Sequence, residues 1–130
     1  MEENNKIIAE FMGFTYEKNL GYYDNDMLLS QIIYDQQNGN CFNELLFDKS
    51  WDWLMSVVEK IENTKIKDYS ISTDITDDKT FISVWHYGDG SKWSILISNY
   101  NEEYKDFNKM QRTYKAVVKF INFYNKQKEE

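Results

Sequence analysis

Cysteine and histidine occur once each in this 130-residue chain, as Cys41 and His86, and its five glycines are scattered. The lone Cys41 excludes an internal disulfide and fits a reducing compartment, where a single cysteine reads as a small half-buried apolar residue. The lone His86 excludes a histidine-based metal cluster or a histidine pair within one chain. Catalysis by Cys41 with His86 would need a third orienting group that the pattern does not offer. No GxGxxG or GK[ST] loop exists to cradle a phosphate. No run of about 18 apolar residues occurs, so no membrane span is expected. The opening MEENNK is acidic and polar, so no signal peptide is expected either, and the reading is a soluble, cytoplasmic protein.

Aromatics, by contrast, reach 17%, with 10 Tyr, 8 Phe and 4 Trp, so an aromatic core or surface is expected. The length suits one α+β domain spanning 1–130 that needs no covalent staple. The net charge of −7 is uneven: residues 1–50 carry nine acids and three bases, whereas residues 100–130 carry five acids and seven bases. Such a front half repels a polyanion, so nucleic acid is disfavoured as a partner. Lysine outnumbers arginine 14 to one, and Asn, Ile and Tyr are abundant, a bias that AT-rich codons of a low-GC bacterium or phage would produce.

The strongest structural signal is FDKSWDWLMSVVEKIEN, residues 47–63. Ser50 is a natural N-cap and Asp52 favours the positive end of the helix dipole. Trp51, Leu54, Met55, Val58 and Ile61 share one face, which Val57 and Trp53 widen, so this helix is expected on a sheet with a second element touching it. Asp52, Ser56, Glu59 and Lys60 are expected to face water. Before it, Asn4 or Asn5 can cap a short helix carrying Ile7, Ile8, Phe11 and Met12, which Gly13 ends. Gly21–Met27 reads as a loop, and Met27–Tyr34 as a strand or a helical turn. Asn38-Gly39-Asn40 marks a turn, forming a hairpin if Ile32–Asp35 and Phe42–Phe47 are strands.

After it, Tyr69, Ile71, Thr73 and Ile75 alternate with polar residues, and Phe81–Tyr87 and Trp93–Ser98 follow across short turns. The pattern predicts a three-stranded antiparallel meander. Trp93, Ile95 and Ile97 share one face, and Ile82, Val84, His86, Ser94 and Leu96 are assigned to the opposite faces, so both sides of the sheet are expected to be at least partly covered. The carboxylates Asp24 with Asp26, and Asp74 with Asp77 and Asp78, read as turn residues rather than a cation site. Asn101 can cap a long final helix, with Phe107, Met110, Tyr114, Val117, Ile121 and Tyr124 on its buried stripe. Lys105, Lys109, Arg112, Lys119 and Lys126 lie opposite, with Phe123 among them.

The segments EFMGF, FDKSWDWLMSVVEKIE and YKAVVKFINFYN together resemble small phage and prophage proteins of the phage ABA sandwich domain type. The matching stretches are Glu10–Phe14, Phe47–Glu62 and Tyr114–Asn125. The chain departs from that pattern at Ser56, where the family has proline, and across Gly21–Asn43. The resemblance implies a β-layer between helices and a phage origin, and carries over no catalytic residue.

The fold expected is therefore α+β, an antiparallel β-meander packed between α-helices. No catalytic, cofactor-binding or metal-binding residue is assigned, and no cofactor is expected. The function expected is that of a non-enzymatic accessory protein that binds a protein of host or phage, host-defence inhibition being one such role. A self-assembling scaffold module, hence a homo-oligomer, is the alternative, and a pocket for a small nucleotide signal is a weaker one. Trp53, Arg112, Lys119, Phe120 and Phe123 are the candidate interface residues.

Overall fold

The computed structural model describes residues 2–128. It is an α+β chain of four α-helices and two antiparallel three-stranded sheets, gathered into two compact units, Met1–Lys60 and Ile61–Glu130.

The first unit begins with α1 (Glu2–Phe11). Asn4 and Asn5 lie inside this helix rather than capping it. Asn5 is buried, and its side-chain amide donates to Leu45 O at 3.2 Å and to Asp48 Oδ1 at 2.9 Å. Gly13, at φ 79°, ends the helix as expected. Phe14–Glu17 (β1) and Gly21–Asp24 (β2) then form a hairpin, and β2 also pairs with the short β3, Cys41–Phe42. The stretch 21–24 is thus a central strand where a loop was expected. Gly21 is required there, because a Cβ would sit 2.4 Å from the Phe42 carbonyl oxygen.

Of the two readings of Met27–Tyr34, the helical one holds from Gln31 onward, so the hairpin that Ile32–Asp35 and Phe42–Phe47 would have formed as strands is absent. Gln31–Gln37 is a helix, α2, because helical geometry buries Leu29, Ile33 and Tyr34 together while leaving Ile32 exposed. Asn38, at φ 58°, is its left-handed cap, so the Asn-Gly turn joins helix to strand. Asp24 organises the entry to this helix. Its buried carboxylate accepts from Leu28 N at 3.1 Å and Leu29 N at 2.9 Å, and from the Tyr34 hydroxyl by a very short bond.

Helix α3 (Trp51–Glu62) starts at Ser50, whose Oγ accepts from Trp53 N at 3.4 Å. Its buried face is rotated from the expected one: Trp51 and Met55 are exposed, and Ser56, expected in water, is buried with its hydroxyl donating to Asp52 O at 2.8 Å. The cause is Trp53. Its ring meets Phe42 at 4.9 Å, Phe47 at 5.1 Å and Phe14 at 6.4 Å, all edge-on, which turns that side of the helix onto the first sheet.

The second unit contains the expected meander: β4 (Tyr69–Ile75), β5 (Lys79–His86) and β6 (Lys92–Ser98), in that order. The register pairs Ile82 with Ile95 and Val84 with Trp93, so these residues share one face, correcting their assignment to opposite faces. That shared face meets α4 (Lys109–Lys128), where Thr80 Oγ1 and Thr113 Oγ1 lie 3.0 Å apart. Asn101 caps only a 3-10 turn, Glu102–Tyr104, rather than the long helix. The break has a physical cause. The Asn99 amide donates to the carbonyls of Tyr104, Lys105 and Phe107, and Arg112 donates to Phe107 as well, so those acceptors are taken from a continuous helix. α4 restarts at Asn108, which exchanges two 2.8 Å bonds with Gln111 in a reciprocal capping box.

Candidate functional site

Strand β6 is an edge strand: among the described residues, nothing pairs with its outer side. Flanking bonds, His86 N to Ser91 O at 2.9 Å and Asn99 N to Asp78 O at 3.1 Å, fix the phase of its ladder with β5. Alternate residues Trp93, Ile95 and Ile97 therefore bond to β5, and Ser94 and Leu96 direct their N–H and C=O groups outward. A natural edge of this kind is a template for a further strand.

Beside that edge runs a groove of ≈ 630 Å³, bounded by residues 93–97 on one side and by Lys119, Asn122, Phe123 and Lys126 of α4 on the other. These four helix positions are spaced i, i+3, i+4 and i+7, which places them on one stripe about 10 Å long, beside about 13 Å of strand. Phe123 stacks on Trp93 with ring centroids 3.8 Å apart and planes 14° apart, giving the groove an apolar floor. Lys119 and Lys126 are exposed, and among the described residues no carboxylate lines the groove. The face of the sheet away from α4 is partly covered, as expected, with Ser83 buried and Phe81 half-buried, and is open towards β6 and the 87–91 turn: Leu96, 51% exposed, lies across from Phe81, and Trp85 and Tyr87 meet edge-on at 5.3 Å.

The candidate interface residues separate accordingly. Lys119 and Phe123 come together in the groove. Phe120 is fully buried behind them, its ring 6.4 Å from that of Phe123 and stacked on Tyr124 at 6.2 Å. Arg112 is buried, and the basic face expected on the final helix does not include it: its guanidinium donates to Asn99 Oδ1, Phe107 O and Asp77 O. Trp53 belongs to the aromatic cluster of the first unit. Sequence reasoning did not assign Trp93, Asn122 or the edge amides to an interface. The signal available was the i, i+3, i+4, i+7 spacing of Lys119, Asn122, Phe123 and Lys126.

His86 is a rim residue, edge-on to Tyr69 at 4.8 Å and with Nδ1 2.9 Å from Asp89 Oδ1. Among the described residues, no three His, Cys, Asp or Glu side chains gather in a way that could hold a metal. A cleft of ≈ 400 Å³ in the first unit is lined by Lys6 and Lys49 but also by Glu2, Glu44 and Asp48, a mixed set with no net preference for an anion. No helix among the described residues is long and apolar enough to cross a membrane.

Comparison with family models, curated proteins and solved structures gives no match to this chain.

Proposed function

We propose that this chain is a non-enzymatic accessory protein of phage or prophage that acts by binding another protein, with the groove beside β6 as its contact surface. The observation that carries this reading is the unpaired edge of β6 running alongside the Lys119, Asn122, Phe123, Lys126 stripe. Main-chain groups held open next to a stacked aromatic pair and two lysines supply the hydrogen bonds, apolar contact and charge that a protein interface uses. The phage origin rests on the three sequence segments that resemble the phage ABA sandwich type, and a host-defence inhibitor would work in this manner, by occupying a surface of a host protein. A nucleotide-signal role draws less support, because Glu2, Glu44 and Asp48 share the first unit's cleft with its lysines and repel a phosphate.

The test is capture from bacterial lysate with the parent chain and a Leu96→Lys variant side by side. Leu96 is half-exposed at the edge, so the variant is expected to fold. A protein retained by the parent and lost by the variant supports the reading. Capture of nothing above background, or capture indifferent to Leu96→Lys, counts against it.

A further inference from the structure

We propose that the segment received in this groove is extended and acidic, and that it adds to the second sheet as a fourth strand beside β6. This rests on the protein-binding reading and specifies the chemistry of the partner.

Three observations lead to it. The outward N–H and C=O groups of Ser94 and Leu96 form a ladder that an extended backbone satisfies and a helix does not. The space between strand and helix has the length of a short extended segment, and its walls alternate: side chains of the added strand point towards the Trp93–Phe123 pair and α4, or towards the open face with Leu96 and Phe81. The charge at the rim is of one sign, from Lys119 and Lys126, so acidic side chains on the α4 side of the segment are drawn in and basic ones repelled.

The same charges disfavour a second copy of this chain as occupant. Pairing β6 with its own symmetry mate brings the Lys119 and Lys126 rims of the two copies towards each other, lysine against lysine. The neighbourhood of β6 offers no carboxylate among the groove residues to answer those lysines.

The test uses the full chain and a fluorescent peptide of alternating Asp and Val as probe, with two controls: the same peptide with Lys for Asp, and the acidic peptide N-methylated at alternate amides. The acidic peptide is expected to bind, to weaken as salt is added, and to shift backbone amide resonances of residues 93–97 and 119–126. The lysine and N-methylated peptides are expected to bind at least about tenfold more weakly, as is the acidic peptide to a Lys119→Glu, Lys126→Glu double variant, whose exposed positions leave the fold intact. Equal binding of all three peptides, no binding of any, or shifts confined to other residues overturns the proposal. So does a dimer in light scattering that Leu96→Lys dissolves, since the second copy is then the occupant. If the peptides fail while a lysate protein is still lost with Leu96→Lys, the acidic-strand proposal falls and the protein-binding reading stands. If both fail, both fall.

Discussion

Replacing Arg112 by methionine or by lysine separates two accounts of why the only arginine of this chain is buried. The residue is 2% exposed, and its guanidinium has Nη1 2.6 Å from Asn99 Oδ1 and 2.9 Å from Phe107 O, and Nη2 2.6 Å from Asp77 O. No carboxylate among the described residues lies within ion-pair distance of it. The charge is therefore solvated by neutral oxygens, and the planar fork spans three acceptors from three segments: the hairpin tip at Asp77, the turn after β6 and the approach to α4. Methionine fills much of the same volume but donates nothing. Bonds from a charged donor contribute about 1.5–3 kcal/mol each, and the released burial of the charge offsets part of their loss, so the expected destabilisation is about 3–4 kcal/mol.

Lysine keeps the charge and loses the fork. A single ammonium cannot reach three acceptors set around a guanidinium, so Arg112→Lys is expected to lose about as much stability as Arg112→Met. Urea unfolding followed by tryptophan fluorescence measures both, and native-state hydrogen exchange over residues 61–128 locates the loss. A melting shift on the order of 10 °C accompanies such a change in a chain of this size. Lysine within about 1 kcal/mol of the parent would refute the fork argument, because charge alone would then suffice. Methionine indistinguishable from the parent would refute the structural role altogether.

Trp53→Ala empties the centre of the Phe14, Phe42, Phe47 cluster and is expected to cost about 3–5 kcal/mol in chemical denaturation; a variant with the parent's midpoint and slope would show that the cluster contributes little. Tyr34→Phe removes the hydroxyl that donates to the buried Asp24 carboxylate and accepts from Leu29 N at 2.8 Å, with an expected loss of about 1.5–3 kcal/mol. Burial first, and the Asp24 carboxylate after it, hold the Tyr34 phenol above its ordinary 10.0. Its contribution is thus complete below pH 10.0 and falls as pH rises beyond it; an alkaline limb unchanged by Tyr34→Phe would contradict this. The Asp89 carboxyl is held below its ordinary 3.8 by hydrogen bonds from Ser91 first and by His86 after them. Its stabilising effect is present above 3.8 and lost as pH falls through the lower folded value, so an Asp89 resonance titrating at or above 3.8 would refute it.

Legibility in the sequence followed the range of the forces involved. The second sheet was readable because Tyr69, Ile71, Thr73 and Ile75 alternate and the turns at 76–78 and 87–91 are short, all local properties. The first sheet was not. FTYE alternates over only four residues, GYYD does not alternate, and β3 is two residues long, so those strands exist through pairing with each other rather than through pattern. The start of α4 was misplaced for a similar reason. Residues 101–108 fit a helical period, but Asn99 and Arg112 reach across sequence to take the carbonyls that period would use. Sorting α4 by charge put Arg112 with the lysines, since an angular count does not register an acceptor on another segment.

The groove shows where a strand-by-strand reading stops. Each strand's own alternation was visible, but alternation gives parity within a strand and leaves the phase between strands open. That phase is set by the closing bonds of the turns, Thr76 N to Lys79 O at 2.8 Å and His86 N to Ser91 O at 2.9 Å. A shift of one residue at the second turn would exchange Ser94 and Leu96 with Trp93 and Ile95, turning the outward amides towards β5 and taking Trp93 away from Phe123. With the phase that the turn imposes, Trp93 lies on the α4 side and stacks on Phe123, while Ser94 and Leu96 keep an open edge beside Lys119 and Lys126. The two features that make this surface receptive, its apolar floor and its unpaired ladder, therefore depend on one register. A substitution that slips the 87–91 turn should abolish both together, whereas Leu96→Lys changes the edge and leaves the Trp93–Phe123 stack in place.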